Sequence, residues 1–191
     1  GAGFSEAGFF HLLTHGVFKA ALFLGAGAVI HAVGTNDVTR MGGLARRMPQ
    51  TAIVFTVGAL ALAGIPLFAG FLSKEEVLGA VWAGGATGPF VVLMLVAFLT
   101  AFYMFRVVFL AFFAAPAPVP AEAHHDGPHA HDPPATMLLP LWALTAISMA
   151  VGVYFTFVHG EPAVVNPGWL MPAAVAVAVA GILLAWLTYQ R

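Results

Sequence analysis

The sequence predicts an all-α integral membrane protein with about five transmembrane helices, the second of them discontinuous. Of its 191 residues, 61% are hydrophobic and only 8% are charged, whereas roughly 25% of residues are charged in an ordinary soluble domain. Five apolar segments reach the roughly 20 residues that a helix needs to cross a hydrocarbon core about 30 Å thick. The longest segment contains Gly64-Ile65-Pro66, and we therefore predict that this span is broken.

The five spans are predicted at residues 9–33, 51–84, 89–115, 137–158 and 169–189. As one continuous helix the second would be about 50 Å long, too long for a simple crossing. Pro66 lacks an N–H and clashes with the preceding turn, and Gly64 relaxes the backbone beside it. Irregular backbone at membrane depth is tolerated only inside protein or beside a water-filled cavity. Two half-helices joined by an irregular link therefore indicate a transport site.

The start of the second half-helix is predicted from Ser73-Lys74-Glu75-Glu76. This segment fits a capping box, with Ser73 as N-cap and Glu76 at the third helical position. Lys74 then occupies the first helical position, where the positive end of the helix dipole disfavours an ammonium. We predict that Lys74 loses its charge easily, with Glu75 or Glu76 as exchangeable partner. The alternative is a plain capping motif at the membrane surface.

The stretch "HLLTHGVFK" places His11, His15 and Lys19 at a spacing of four in the first span. A helix stacks such residues on one face. A lysine near the middle of a span costs roughly 2.5–3.5 kcal/mol on insertion scales, which a purely structural residue does not need. Imidazole titrates near neutrality, and a lysine removed from water gives up its proton more readily. The spacing thus predicts a proton relay; the alternative is ordinary polar packing between helices.

Two further basic residues lie in the spans. His31, near the far end of the first span, is included as an exit group of the relay, although interfacial histidines are also common. Arg106 lies close enough to one end of its span to reach the interface by snorkelling.

Orientation follows from the basic residues of the loops. Arg40, Arg46 and Arg47 lie between the first two spans, and Arg191 falls on the same side. The loops of the other side contain no Lys or Arg. The positive-inside rule therefore predicts that the first side is cytoplasmic, and we expect a bacterial inner membrane. The histidine-rich stretch "HHDGPHAHD" is then cytoplasmic and solvated; a metal held by four of its histidines is the alternative, through His124, His125, His129 and His131.

The composition also excludes several classes of function. A net charge of −1 gives no indication of nucleic-acid binding. The absence of cysteine excludes disulfides, thiolate-held zinc and cysteine-ligated iron–sulfur clusters in this chain. We therefore predict no cofactor and no metal here. The first apolar segment lacks the basic flank and cleavage site of a signal peptide, and we expect the chain to be a piece of a longer protein.

Three sequence blocks carry a family resemblance. They are "FHLLTHGVFKAALFLGAGAVIHA", "MGGLARRMPQT" and "ALAGIPLFAGFLSKEEVL", and "FYMFRVVFL" adds a weaker match. In this order they resemble subunit L of proton-pumping NADH-quinone oxidoreductase, respiratory complex I. Subunit L belongs to a family of antiporter-like membrane subunits that includes large subunits of multisubunit sodium/proton antiporters. The strong match covers residues 4–80.

The resemblance implies roles for individual residues. Lys19 resembles the central lysine of the family's second half-channel, with His11 and His15 beside it. Lys74 resembles the broken-helix lysine at the exit side, and Glu75 falls at a position that is also acidic in the family. The sister subunit M has a glutamate where Lys74 stands. The family's first half-channel, with its glutamate and lysine pair, is absent from these residues.

The resemblance also implies a division of the chain. Residues 1–87 form the core of the second half-channel, and residues 88–115 a further core helix. Residues 116–135 form a cytoplasmic loop rich in proline and histidine, and residues 136–191 a C-terminal transmembrane extension.

The implied function is proton translocation, driven by NADH:quinone electron transfer in other subunits that carry the flavin and iron–sulfur clusters. The chain would then be part of an enzyme, a translocase, without redox chemistry of its own. Its expected partners are other membrane subunits of complex I, including other antiporter-like subunits, together with lipid and protons. Two alternatives stay open: a large subunit of a sodium/proton antiporter, and a structural membrane anchor.

Overall fold

The computed structural model describes residues 5–115, 131–159 and 166–190, and every regular element in these ranges is helical. The helices are α1 (Ser5–Val33), α2 (Leu44–Arg47), α3 (Pro49–Ala63), α4 (Ala69–Ala83), α5 (Thr87–Val108), α6 (Ala135–Tyr154) and α7 (Leu170–Tyr189). Single π-helical turns extend α5 over Phe109–Phe113 and α6 over Phe155–His159. A 3₁₀ turn, Val38–Arg40, lies in the loop after α1. The all-α prediction is confirmed.

The predicted spans correspond to these helices. Within the described residues, α1, α5, α6 and α7 are the four helices long and apolar enough to cross a membrane. The second span is divided into α3 and α4, of 15 residues each. Neither half reaches the roughly 20 residues of a complete crossing, so the two halves serve as one interrupted span. The predicted discontinuous second helix is therefore confirmed.

The break between α3 and α4 lies where Gly64 and Pro66 were expected to place it. Gly64 has φ +82°, and its N–H bonds back to the carbonyls of Leu60 and Ala61. Glycine ends a helix in this left-handed conformation without a steric penalty. Leu67 also has a positive φ, 78°, which is strained for a residue with a side chain. Gly152 of α6 lies directly against this link, because a Cβ there would overlap the Leu67 carbonyl.

The start of α4 corrects the predicted capping box. The helix begins at Ala69 with Phe68 as its N-cap, five residues earlier than expected. Ser73 is consequently the fifth helical residue and is fully buried. Its hydroxyl bonds to side chains of α1, and is therefore not used to cap α4. Lys74 lies in the second turn of α4, away from the positive end of its dipole.

The main hydrophobic core is formed by buried residues of α1, α3, α5 and α7. Helix α1 also packs on α4 and α6. The largest fully buried aromatic side chains of the core are Phe18 and Phe112. Many large apolar side chains point outward instead, among them Phe9, Phe23, Val91, Leu139 and Phe157. Contiguous apolar surface on this scale indicates contact with lipid or with neighbouring membrane subunits.

The first half of the broken helix is capped from a distant part of the chain. Asp132, just before α6, accepts hydrogen bonds from the backbone N–H groups of Gln50 (3.1 Å) and Thr51 (2.9 Å). The Thr51 hydroxyl donates to the same carboxylate at 2.8 Å. The first N–H groups of a helix have no partner within it, and a carboxylate there also complements the dipole. Asp132 therefore fixes α3 to the segment that leads into α6.

Replacing Asp132 with alanine is expected to destabilise the α3 end by about 1–2 kcal/mol, because two backbone donors lose their partner. Asp132→Asn should lower the stability less, because the amide oxygen still accepts a hydrogen bond. The measurement is thermal stability of the purified complex containing each variant. An Asp132→Ala complex as stable as the unmodified one would show that the cap does not hold α3 in place.

Candidate functional site

A cavity of about 200 Å³ lies between α1, α4 and α5. Its polar lining residues are His11, His15, Lys74, Thr100 and Tyr103. Apolar side chains complete the wall. The volume holds several water molecules, and the polar groups provide the partners that buried water requires. His11, His15 and Lys74, each of which has a group that can bind a proton, thus surround one polar space.

The two histidines reach this cavity because of their spacing. His11 and His15 are one helical turn apart on α1, and their ring centroids are 5.6 Å apart. The His15 ring packs edge-on against Phe18, at a centroid distance of 5.3 Å. An aromatic wall on one side leaves the other side of the imidazole pair facing the cavity.

Lys74 enters the cavity from α4 and donates a hydrogen bond to the carbonyl oxygen of Leu62. Leu62 lies in the last turn of α3, whose carbonyls have no partners within that helix. The break in the second span therefore provides the acceptor that holds Lys74. This arrangement reverses the electrostatic prediction, because the negative end of the α3 dipole favours the ammonium.

Gly64 has a second role beside Lys74. A Cβ at Gly64 would lie 3.2 Å from Lys74 Cδ and 3.8 Å from Nζ. The glycine that ends α3 therefore also leaves the space in which the lysine side chain reaches the carbonyl.

A hydroxyl network adjoins the cavity. Ser73 Oγ lies 3.0 Å from His11 Nδ1 and 2.9 Å from the donating hydroxyl of Thr14. Ser73 and Thr14 are both buried. The network joins α1 to α4 immediately beside Lys74.

Lys19 lies apart from this cavity. It is exposed in the described chain, as is His31, and neither lines the space that His11 and His15 share. Lys19 is at the middle of α1, in the position where a charge is most costly in a bilayer. Its ammonium therefore requires a partner or water-filled space formed together with other protein.

Glu75 does not line the first cavity. It is 8% exposed and lines a second cavity, of about 290 Å³, with Glu76, Thr156 and Asn166. The adjacent positions on α4 thus supply a cation to one cavity and a carboxylate to the other. Lys74 and Glu75 also both line a small cavity of about 20 Å³, and the predicted exchange between them stays a prediction.

Sequence reasoning missed Thr100 and Tyr103 in the first cavity and Thr14 in the adjoining hydroxyl network. It singled out Ser73, but as a helix N-cap. Thr14 lies within "HLLTHGVFK", so its position between the two histidines was the available signal. The sequence gives no such signal for Thr100 and Tyr103, because a single hydroxyl in an apolar helix is common.

Arg106 and the histidine-rich loop lie elsewhere. The Arg106 guanidinium carbon is 5.5 Å from the centroid of the Tyr189 ring, a cation–π contact between α5 and α7. His124, His125 and His129 lie outside the described residues. His131 Nδ1 is 2.8 Å from the Asp132 carbonyl oxygen.

A cavity lined by titratable groups, beside an interrupted membrane helix, is the arrangement of an ion-translocating membrane protein. The chain belongs to the family described as "NADH:quinone oxidoreductase/Mrp antiporter, TM", which it matches over residues 2–113.

Curated relatives carry related names. The chain is 42% identical over 177 residues to NAD(P)H-quinone oxidoreductase chain 5 of Picosynechococcus sp., covering 80% of this chain and 26% of that protein. It is 43% identical over 163 residues to NADH-quinone oxidoreductase subunit L of Mycobacterium tuberculosis, covering 81% and 24%. It is 40% identical over 153 residues to F(420)H(2) dehydrogenase subunit L of Methanosarcina mazei, covering 75% and 22%. The chain thus spans about a quarter of the length of these relatives.

A solved structure shares the fold. A chain of the Mrp complex from Dietzia sp. DQ12-45-1b matches with a TM-score of 0.69 and 24% sequence identity, covering 96% of this chain and 39% of that one. The likeness shows that this chain shares its fold with that structure.

Proposed function

We propose that this chain translocates protons as part of the antiporter-like subunit L of an NADH-quinone oxidoreductase. The observation that carries the proposal is the single cavity shared by His11, His15 and Lys74. An imidazole can bind and release a proton, and the lysine donates to a single backbone carbonyl, from which it can detach. Water in the cavity would pass protons between these groups.

The proposed pathway extends beyond the cavity at both ends. Lys19 supplies the connection to the part of the protein that precedes the described helices, and His31 an exit along α1. Glu75 belongs to the pathway through the second cavity. The chain has no cysteine, and we place the flavin, the iron–sulfur clusters and the redox chemistry in other subunits. The chain acts in an enzyme whose proton movement is driven by electron transfer elsewhere.

The proposed surroundings follow from this assignment. The outward apolar faces contact lipid and other membrane subunits of complex I, including other antiporter-like subunits. The basic loop at Arg40, Arg46 and Arg47 lies on the cytoplasmic side of a bacterial inner membrane. The residue division into 1–87, 88–115, 116–135 and 136–191 remains a prediction.

A second candidate is the large subunit of a sodium/proton antiporter, since the matched family includes both kinds of protein. The same cavity would then exchange protons against sodium. Copurification decides between the two: peripheral NADH-oxidising subunits accompany the intact protein only in the first case.

Replacing His15 with alanine tests the pathway. The number of protons pumped per NADH oxidised, measured in vesicles containing the intact complex, is expected to fall partially. The loss should be smaller than at Lys74, because ordered water bridges a missing imidazole in a polar cavity. Leu13→Ala is the matched control, since Leu13 is on the same helix and 54% exposed. Equal ratios for His15→Ala and Leu13→Ala would contradict the proposed pathway.

A further inference from the structure

A chain of buried hydroxyl groups contacts His11 at Nδ1. Ser73 Oγ lies 3.0 Å from His11 Nδ1 and accepts at 2.9 Å from the Thr14 hydroxyl. Thr14 Oγ1 also lies 3.1 Å from the Phe10 carbonyl oxygen and 3.2 Å from that of His11. Ser73 is completely buried, and its hydroxyl has one further acceptor, the Gly70 carbonyl oxygen at 3.5 Å.

The hydroxyl protons of this chain have two complete arrangements. In the first, Thr14 donates to Ser73, and Ser73 donates to the Nδ1 lone pair of His11. In the second, Nδ1–H donates to Ser73, Ser73 donates to Thr14, and Thr14 turns its proton to the carbonyl of Phe10 or His11. Each hydroxyl has one proton and can both donate and accept. His11 is therefore partnered whether or not Nδ1 carries a proton.

The reversal of these hydrogen bonds matters because a buried polar group without a partner lowers the stability of the folded protein. A rigid donor such as a backbone N–H would match only one state of Nδ1. The two hydroxyl groups can partner Nδ1 with or without its proton. Because they occupy Nδ1, Nε2 is the ring nitrogen that remains available for proton transfer.

We infer that Ser73 and Thr14 are positioning residues that allow His11 to take and release a proton at Nε2 without an unpaired buried group. The inference rests on the proposed proton pathway and deepens it. In the transfer step Nδ1–H stays donated to Ser73 in the second arrangement, Nε2 accepts one proton from cavity water, and the same proton later leaves from Nε2. The first arrangement partners Nδ1 when the neutral ring carries its proton on Nε2 instead. The titratable side chains that share the cavity with His11 are His15 on α1, Lys74 on α4 and Tyr103 on α5.

The test measures protons pumped per NADH oxidised in vesicles containing the intact complex. The fall in this ratio in His11→Ala gives the largest effect that removal of the imidazole can have. Ser73→Ala is expected to lower the ratio almost as far, because Ser73 contacts His11 directly. Thr14→Val should lower it less, because the Thr14 hydroxyl contacts Ser73. Thr14→Ser should restore the ratio, because the hydroxyl is kept. Ser148→Ala is the matched control: Ser148 is 3% exposed in α6, and its hydroxyl has no hydrogen-bond partner among the described residues.

A double variant separates action through His11 from a structural effect. In the His11→Ala background, Ser73→Ala should cause no further loss, since contacting residues that act as one unit are not additive. A further loss in the double variant would overturn the inference. If His11→Ala lowers the ratio while Ser73→Ala behaves like Ser148→Ala, the inference fails and the proposed pathway stands. If His11→Ala itself has no effect, the place of His11 in the pathway fails, and the inference with it.

Discussion

Replacing Lys74 with methionine is expected to remove the whole contribution of this chain to proton pumping while leaving the complex assembled. Methionine keeps most of the side-chain volume but has no group that binds a proton. The carbonyl of Leu62 loses its donor, a local cost of about 1–3 kcal/mol that packing of α4 on α1 and α6 can offset. The measurement is protons pumped per NADH oxidised in reconstituted vesicles, with subunit content determined in parallel.

Glu75→Gln is the comparison for Lys74→Met. Glu75 neighbours Lys74 in sequence but lines the second cavity, so its neutralisation should impair pumping less. An equal loss from both variants would contradict this difference and would indicate that the two residues act as one unit through the small cavity that both line. An unchanged ratio in Lys74→Met would remove Lys74 from the pathway.

Replacing Lys19 with alanine has the second largest expected effect. Lys19 is exposed at the middle of α1 in the described chain, where a lysine costs roughly 2.5–3.5 kcal/mol in lipid. Its removal should therefore not weaken membrane insertion of α1. Pumping should nevertheless fall strongly, because the proposed pathway passes protons through the Lys19 side chain.

The control for Lys19→Ala is Phe23→Ala, one turn further along α1 and 70% exposed. Both variants remove a large side chain from an exposed part of one helix, but only Lys19 has a group that can bind and release a proton. Pumping and assembly are measured in the same vesicle preparations. Normal pumping in an assembled Lys19→Ala complex would refute its role in the pathway.

The sequence predicted the helices well because each depends on local information. Apolar length sets the spans, and the break follows from the left-handed Gly64 and from Pro66, which has no N–H to donate. The spacing of His11 and His15 placed them on one face, and the structure brings them to one cavity with Lys74.

The details around Lys74 depended on tertiary contacts instead. The capping box at Ser73 was wrong because contacts with α1 use that hydroxyl, and α4 begins at Ala69. The sign of the dipole at Lys74 was wrong because the relevant helix end belongs to α3 rather than α4. The cap at the start of α3 comes from Asp132, 81 residues beyond Thr51, a distance at which no local motif operates.

The most direct test of proton exchange at Lys74 is Lys74→Arg in the intact complex. Arginine keeps the positive charge and can still donate to the Leu62 carbonyl, but a guanidinium does not release its proton in a protein. Protons pumped per NADH are measured in reconstituted vesicles at matched rates of NADH oxidation. We expect the ratio to fall as far as in Lys74→Met. If Lys74→Arg pumps like the unmodified complex, position 74 requires only a positive charge, and the claim that Lys74 gains and loses a proton is wrong.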